Sequence, residues 1–178
     1  GAPCNVCDSP PMQSAILRMR PDGSNLELFA AGVRNSVGFE WHPTSREMWF
    51  TDNGRDGLGD DVPAEELNVA HRAGLHFGFP FCHQGDVADP QFGAQRACST
   101  TEAPAFKMGA HVAALGFAFY TGTMFPQKYR NGAFIAFHGS WNRAPEPQKG
   151  YFVAFVPFKN GKPSGNWEIF ADNFAGRD

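Results

Sequence analysis

The sequence predicts an all-β protein, and three of its features favour that class. Apolar and polar residues alternate with a period of two in several short runs, which is typical of strands with one buried face. The 20 glycines and 14 prolines supply turn residues between such runs. A hydrophobic content of 42%, with 18 phenylalanines, provides enough apolar surface for a packed core and excludes a disordered chain.

Net charge and hydropathy predict that the chain neither binds nucleic acid nor contains a transmembrane segment. The formal net charge is −3 and there is no basic tract, so we expect no binding to nucleic acid. No apolar run approaches the roughly 20 residues of a transmembrane helix, so we expect no transmembrane segment. The first residues lack the charged and apolar regions of a targeting signal.

The first predicted hairpin lies near the amino terminus. Residues 14–19 and residues 26–29 read as short strands on either side of a Pro-Asp-Gly-Ser turn. Proline fixes φ in that turn and glycine permits a positive φ, so these residues favour a turn by themselves. A similar hairpin, formed by residues 151–158 and residues 167–170, is predicted near the carboxyl end.

The second predicted hairpin is the element around which the chain is organised. Period-two runs at residues 37–41 and residues 48–52 flank a polar turn. Because a hairpin begins and ends at the same edge, Arg34 and Asn35 should share one rim with residues 52–55. That rim gathers a guanidinium, two amides and the carboxylates of Asp52, Asp56, Asp60, Asp61, Glu65 and Glu66. The clustering favours an oxygen-rich site for a cation and an anion, and the alternative is a solvated acidic loop.

The pattern recurs in the second half of the chain. Residues 115–119 repeat the alternation of residues 37–41, and residues 138–143 take the place of residues 53–55. The repeat spans 78 positions, which exceeds the roughly 40–50 residues of an ordinary propeller blade. The inserted loop of residues 82–107 accounts for the excess.

Repeated four-stranded sheets arranged radially form a β-propeller, and we therefore predict part of one. The predicted units are an outer hairpin at residues 1–32, a blade with an inserted loop at residues 33–110, and a blade at residues 111–178. These units amount to about two and a half to three blades, too few to close a ring of four to eight. We therefore expect either remaining blades elsewhere or assembly with other copies.

The four cysteines allow disulfides, a zinc site or free thiols. Local pairing would join Cys4 to Cys7 and Cys82 to Cys98, which closes two loops in polar, proline-rich surroundings. Zinc is the rival because His83 adjoins Cys82, but a second ligand pair at zinc spacing is missing. We favour disulfides, which predict a periplasmic or secreted protein.

Several motifs resemble the glucose/sorbosone dehydrogenase family, over about residues 1–171. They occur in the family's order: GVRNSVGFEWHP, FTDNGRDGLGDD, EELN, GFPFC, FHGSWNR and GYFVAFVPF. The sorbosone-dehydrogenase type is the branch that the chain resembles most. The resemblance implies a soluble quinoprotein on a six-bladed propeller, which uses pyrroloquinoline quinone (PQQ) and calcium to oxidise a small sugar.

The resemblance also implies residues that hold the cofactor. Arg34 and Asn35 would contact the carboxylates and quinone oxygens of PQQ, and a planar guanidinium suits a carboxylate. Asn53 would lie beside them. Further cofactor-side residues are implied at His138, Trp141 and Arg143.

For calcium, the resemblance implies the backbone carbonyl oxygens of Gly54 and Arg55. The family often has proline where this chain has Arg55. Carboxylates that match an acidic stretch of the family would provide ligands for a second, structural calcium, and they are Asp60, Asp61, Glu65 and Glu66.

The implied reaction is hydride transfer from the sugar to the quinone, with a histidine taking the hydroxyl proton. The family's histidine lies upstream of this chain and none of the six histidines here matches it, so the catalytic residue stays unassigned. We expect His42 at the surface, His71, His76 and His83 as structural or exposed residues, and His111 and His138 on the site rim.

The alternating aromatic residues predict a core between sheets rather than a stacking platform. They are Phe39, Trp41, Phe117, Phe119, Phe134 and Phe137. Trp141 follows a Gly-Ser pair in a loop on the predicted rim, so it is a candidate for stacking on cofactor or sugar, and rim packing is the alternative.

Two functions remain open. The first is part of a PQQ- and calcium-dependent aldose or sorbosone dehydrogenase, favoured by the polar rim. The second is a non-catalytic propeller module that binds a partner or assembles through strand edges, favoured by the missing base and blades. The electron acceptor is not indicated in either case.

Overall fold

The computed structural model describes residues 2–10, 12–140 and 148–175. Within that part, three 3₁₀ helices lie at Gly93–Gln95, Cys98–Thr100 and Gln127–Tyr129. The strands, in chain order, are β1 (Ala15–Arg18), β2 (Glu27–Ala31), β3 (Phe39–Trp41), β4 (Met48–Asp52), β5 (Ala64–Ala70), β6 (Leu75–His76), β7 (Cys82–His83), β8 (Val87–Ala88), β9 (Phe106–Ala110), β10 (Ala114–Phe119), β11 (Ala133–Phe137), β12 (Phe152–Val156), β13 (Phe158–Lys159), β14 (Lys162–Pro163) and β15 (Glu168–Ala171). The protein is all-β, as predicted.

Three larger sheets carry the fold. The first has the order β1-β2-β6, with β1 and β2 antiparallel and β6 parallel to β2. The second and third are four-stranded and antiparallel, with the orders β3-β4-β5-β9 and β10-β11-β12-β15. The predicted hairpins are therefore present, with ends shifted by one or two residues. The unit boundaries and the number of blades remain predictions.

The second and third sheets meet along β3 and β10. A Cβ at Gly38 would lie 2.6 Å from the carbonyl oxygen of Leu115 and 2.7 Å from the Cα of Gly116. Only glycine permits so close an approach of two backbones. The hydroxyl of Thr51 donates to the carbonyl oxygen of Leu115 at 2.7 Å across the same boundary.

The core lies between sheets, and β4 shows why. Met48 and Phe50 point to the first sheet, where they pack with Phe29 and Leu75. Trp49, on the other face, packs against the third sheet in a cluster that includes Leu67, Phe119, Ile135, Phe137 and Val156. Because both faces of β4 are covered, all five of its residues are buried. Each large apolar side chain buried in this way contributes about 1.5–3 kcal/mol.

Two of the aromatic residues that the sequence assigns to the core are exposed instead. Phe39 is 63% exposed and Trp41 is 48% exposed, whereas Phe119 and Phe137 are buried as predicted and Phe117 and Phe134 are half-buried. Phe39 and Trp41 line an apolar groove of about 310 Å³ against β1. In the described residues β1 is an edge strand of its sheet, and Phe39 and Trp41 stay exposed beside it.

The prediction that His42 lies at the surface is wrong. His42 is only 3% exposed because its ring packs edge-on against Phe119, with centroids 4.9 Å apart, and stacks on Phe158 at 6.1 Å. Its Nδ1 accepts from the backbone N–H of Ser45 at 3.1 Å. Burial lowers the pKa of His42. The turn after β3 therefore contributes His42 to the core between the second and third sheets, while residues 44–46 at its tip are exposed.

Both predicted disulfides are confirmed. Cys4 bonds to Cys7 and Cys82 bonds to Cys98, with Cα–Cα distances of 6.1 and 5.3 Å. The zinc and free-thiol alternatives are therefore excluded for these residues. None of the helices in the described ranges has the length and apolarity to cross a membrane.

Candidate functional site

A polar cleft of about 380 Å³ opens where β3, β4, β10 and β11 begin or end. It brings together the predicted residues Arg34, Asn35, Asn53, Gly54, Glu65 and His138. It differs from the apolar groove beside β3 because charged and amide groups line it. We treat it as the candidate site for that reason.

Asp52 fixes the shape of one side of the cleft. One carboxylate oxygen accepts from the backbone N–H of Arg34 at 2.8 Å, and the other accepts from that of Asn35 at 2.6 Å. The backbone N–H and the side-chain amide of Asn53 both donate to the carbonyl oxygen of Asn35, at 3.2 Å each. The two ends of the hairpin therefore share one rim. Burial raises the pKa of Asp52 to about 6, against these hydrogen bonds, so Asp52 acts as a structural acceptor.

Arg34 extends along the cleft with an acceptor for each of its five N–H groups. Nε donates to the carbonyl oxygen of Asn5 at 2.9 Å, and Nη2 donates to the side chains of Asn5 at 3.0 Å and Asp56 at 3.4 Å. Nη1 donates to the carbonyl oxygens of Asn53, at 3.2 Å, and Gly54. A carboxylate ligand would therefore have to replace some of these partners. The last two contacts show that the carbonyls of Asn53 and Gly54 converge on one positive group, and we call them the carbonyl cradle.

Glu65 and Glu66 are neighbours on β5, and their side chains lie on opposite faces of it. Successive residues of a strand point to opposite faces, so Glu65 lines the cleft whereas Glu66 does not. Glu65 accepts from the backbone N–H of Gly54 at 2.6 Å. Glu66 accepts from the backbone N–H of Gln84 at 2.7 Å and from the amide of Asn68 at 2.9 Å. Burial, with the charge of Asp52 nearby, raises the pKa of each glutamate to about 8.

The remaining predicted calcium ligands lie outside the cleft lining. The side chain of Arg55 points away to Asp89, at 2.6 Å, and the Asp61 carboxylate lies 3.7 Å from the ammonium group of Lys149. Asp60 also lies outside that lining. Among the described residues, no group of three or more His, Cys, Asp or Glu side chains is arranged to hold a metal ion. Within that part of the chain, a cation in the cleft would rely on carbonyl oxygens.

The opposite wall of the cleft comes from the end of β11. His138 is exposed there, with Nδ1 3.1 Å from the carbonyl oxygen of Gly139. His111 and Ser140, which the sequence did not assign to the cofactor, also line the cleft, and His111 Nε2 lies 2.7 Å from the carbonyl oxygen of Gly59. His111 thus lies on the predicted rim, whereas Ser140 was not singled out although it closely follows His138 in the chain. The predicted sites at Trp141 and Arg143 lie outside the described residues.

Comparisons with known proteins identify a matching family model and several similar structures. A family model described as TrAA12-like matches residues 19–172. A structure of a carbohydrate-active enzyme of family AA12 from Trichoderma reesei, described as its calcium structure, is 27% identical with a TM-score of 0.67, and the match covers 78% of this chain and 40% of that one. The PQQ-bound aldose sugar dehydrogenase of Streptomyces coelicolor is 20% identical with a TM-score of 0.63, covering 92% of this chain and 41% of that one, and it shows the fold alone.

A relative in sequence extends the comparison. An uncharacterized protein of Borreliella burgdorferi is 43% identical over 145 residues, which is 81% of this chain and 38% of that protein. The chain thus spans about two fifths of the length of each of these three relatives.

Proposed function

Because the chain belongs to the TrAA12-like family, we propose that it forms part of the cofactor site of a PQQ- and calcium-dependent sugar dehydrogenase. The chain resembles PQQ-dependent sugar dehydrogenase domains, which supports an oxidoreductase. The three larger sheets would be blades of a propeller, six-bladed as in the glucose/sorbosone dehydrogenases. The two disulfides support an oxidising compartment, periplasmic or secreted.

The observation that carries this proposal is the carbonyl cradle, in which two backbone oxygens hold the guanidinium of Arg34 beside a polar cleft. Calcium prefers oxygen ligands, including backbone carbonyls, and the oxygens of Asn53 and Gly54 already converge on a cationic group. The residues therefore fit a cation, on the condition that Arg34 moves. Arg55, the other implied ligand, would contribute its backbone oxygen at the same edge.

Arg34 has two alternative roles in this arrangement. In the structure it is held by Asn5, Asp56 and the cradle. When an anionic cofactor enters, Arg34 would exchange the cradle for a carboxylate, which a guanidinium binds through two parallel N–H groups. That exchange would leave the cradle oxygens to calcium.

The other cleft residues would orient the cofactor and the sugar. Asp52 holds the backbone of Arg34 and Asn35 in place, and His138 presents its imidazole from the opposite wall. PQQ would supply the hydride acceptor for oxidation of the sugar. The residue that takes the sugar's hydroxyl proton stays unassigned.

Calorimetric titration of PQQ into the whole chain tests the proposal. With calcium present we expect binding in the micromolar range or tighter, and with a chelator we expect that binding to disappear. A matched pair of variants controls for charge: Arg34→Met should bind PQQ more weakly, whereas Arg18→Met, at an exposed pair with Glu27 far from the cleft, should bind normally. Absence of binding by a chain shown to be folded would overturn the cofactor site.

A second candidate function is favoured by the apolar groove. Phe39 and Trp41 are exposed beside the edge strand β1, as expected of a module that assembles with a second copy through this face. Analytical ultracentrifugation would show a concentration-dependent dimer that Phe39→Ser dissociates. A wild-type monomer at all concentrations would remove this alternative.

A further inference from the structure

The side chain of Arg55 leaves the cleft and ends in a buried ion pair. Its Nη1 lies 2.6 Å from a carboxylate oxygen of Asp89, and the two side chains are 13% and 0% exposed. Its Nε donates to the carbonyl oxygen of Asp56 at 3.1 Å. The residue that follows Gly54 is thus tied to a segment 34 positions further along the chain.

Asp89 is held from several sides at once. The oxygen that pairs with Arg55 also lies 2.8 Å from Nε2 of His83, and the other oxygen accepts from the backbone N–H groups of Gln91 and Phe92 at 2.8 and 2.9 Å. Burial alone would raise the pKa of Asp89, but the hydrogen bonds from His83 and Arg55 hold it at about 2. The carboxylate is therefore a charged, well-ordered anchor.

The segment that carries Asp89 is itself fixed to the rest of the protein. The disulfide between Cys82 and Cys98 closes it. Gln84 joins it to β5, because its backbone N–H donates to Glu66 at 2.7 Å and its side-chain oxygen accepts from the N–H of Ala64 at 2.7 Å. Residues 82–98 thus form a brace behind the cleft, which we call the disulfide brace.

The stretch Asn53-Gly54-Arg55 is held at both ends. Asn53 is bonded to Asn35 on the cleft side, and Arg55 is bonded to Asp89 on the brace side. The orientation of the intervening carbonyl oxygens depends on both attachments. Calcium ligands must lie within a narrow range of about 2.3–2.6 Å from the ion, so small rotations of this stretch would matter.

We propose that Asp89 is a positioning residue, which acts through Arg55 to hold the carbonyl oxygens at the edge of the cleft in a cation-binding geometry. This inference rests on the proposed function for the identity of the cation. Partners that orient metal ligands from behind typically change metal affinity by about 10–100-fold when removed. The disulfide brace would then serve the site as well as the stability of the fold.

The direct test measures the loop and needs no cofactor. Asp89→Asn keeps the shape of the side chain and one acceptor oxygen but removes the charge that Arg55 meets. We expect the amide protons of Gly54 and Asp56, which donate to Glu65 and Asn5, to exchange at least about tenfold faster in this variant. Asp86→Asn is the matched control, because Asp86 lies on the same segment but is exposed and pairs with Lys107. Unchanged exchange in Asp89→Asn would overturn the inference.

The second test measures the cation and separates positioning from loss of structure. In calcium titrations we expect Asp89→Asn to bind calcium about tenfold more weakly than wild type does. At saturating calcium, the PQQ affinity of this variant should lie within about twofold of the wild-type value. Arg55→Met removes the other partner of the same contact and keeps the backbone carbonyl. The variant that carries both substitutions should therefore bind calcium as tightly as the weaker of the two single variants. Additive losses would contradict an action through Arg55.

The two proposals fail in different ways. A folded wild-type chain that binds neither calcium nor PQQ overturns the proposed function, and with it the identity of the cation. Unchanged amide exchange at Gly54 and Asp56 overturns the positioning role, whatever the titrations show.

Discussion

The two walls of the cleft follow the second strand of each four-stranded sheet, yet they are built differently. The wall after β4, at residues 52–56, is held by side chains: Asp52 fixes the backbone of residues 34–35, and Arg34 spends all five N–H groups on protein acceptors. The wall after β11 is held by backbone. The N–H groups of His138 and Gly139 donate to the carbonyl oxygens of Ala113 and Val112, and the imidazole of His138 is exposed.

This difference separates two kinds of contribution to a site. In the first wall the polar side chains determine the local backbone, so removing one should disturb both stability and geometry. In the second wall the backbone is fixed independently, so His138 can contact a ligand without being needed for the fold. Two sheets of similar strand order thus supply a preset cradle on one side of the cleft and an adaptable side chain on the other.

The largest expected effect comes from removing the anchor of the first wall. Asp52→Ala leaves two partly buried N–H groups without their acceptor, which should cost about 2 kcal/mol of unfolding free energy. His138→Ala, in the second wall, should cost less than about 0.5 kcal/mol because the side chain is exposed. Urea unfolding measures both. Equal losses would show that the two walls do not differ as described.

The next effect sharpens the comparison at Arg34. Arg34→Met removes the guanidinium from the carbonyl cradle, so calcium alone should bind at least as tightly as to wild type, while PQQ should bind about tenfold more weakly. Calorimetry with each ligand separately makes the measurement. A parallel loss of calcium affinity would mean that Arg34 supports the cradle rather than competing for it.

A third prediction concerns Glu66, which faces away from the cleft. Burial holds its folded pKa at about 8, above the ordinary value of 4.5, so its contribution to stability is present below pH 4.5 and is lost as the pH rises through 8. Glu66→Gln should therefore unfold at a higher temperature than wild type at pH 8 and at a similar temperature at pH 4.5.

A matched substitution controls for the change of charge. Glu168→Gln alters an exposed carboxylate paired with Lys128, and it should show no gain at pH 8. A loss of stability in Glu66→Gln at pH 8 would contradict the structural role. It would instead favour the predicted role of a charged Glu66 as a calcium ligand.

The parts of the fold that the sequence predicts are those set by local pattern. Period-two alternation and short turns locate the hairpins of β1 with β2 and β3 with β4, because each strand pairs with its neighbour in the chain. The same geometry places residues 34–35 beside residues 52–54. Local pairing of the cysteines follows from the same principle.

The features that the sequence misses depend on distant partners. Phe39 and Trp41 look like core residues, but their burial depends on what packs against β1. The sequence assigns Glu65 and Glu66 to one rim, but as neighbours on β5 they point to opposite faces and both are buried. The contact of Arg55 with Asp89 and that of Arg34 with Asn5 join segments that no local pattern relates.

Hydrogen–deuterium exchange of the whole chain, with and without PQQ and calcium, tests most directly the claim that the polar cleft is the cofactor site. We predict slower exchange on ligand addition at residues 34–35, 53–56 and 138–140, which line or border the cleft. Residues 15–18 and 39–41, beside the apolar groove, should exchange at unchanged rates. Protection confined to the groove would contradict the account and place the ligand on the opposite side of β3.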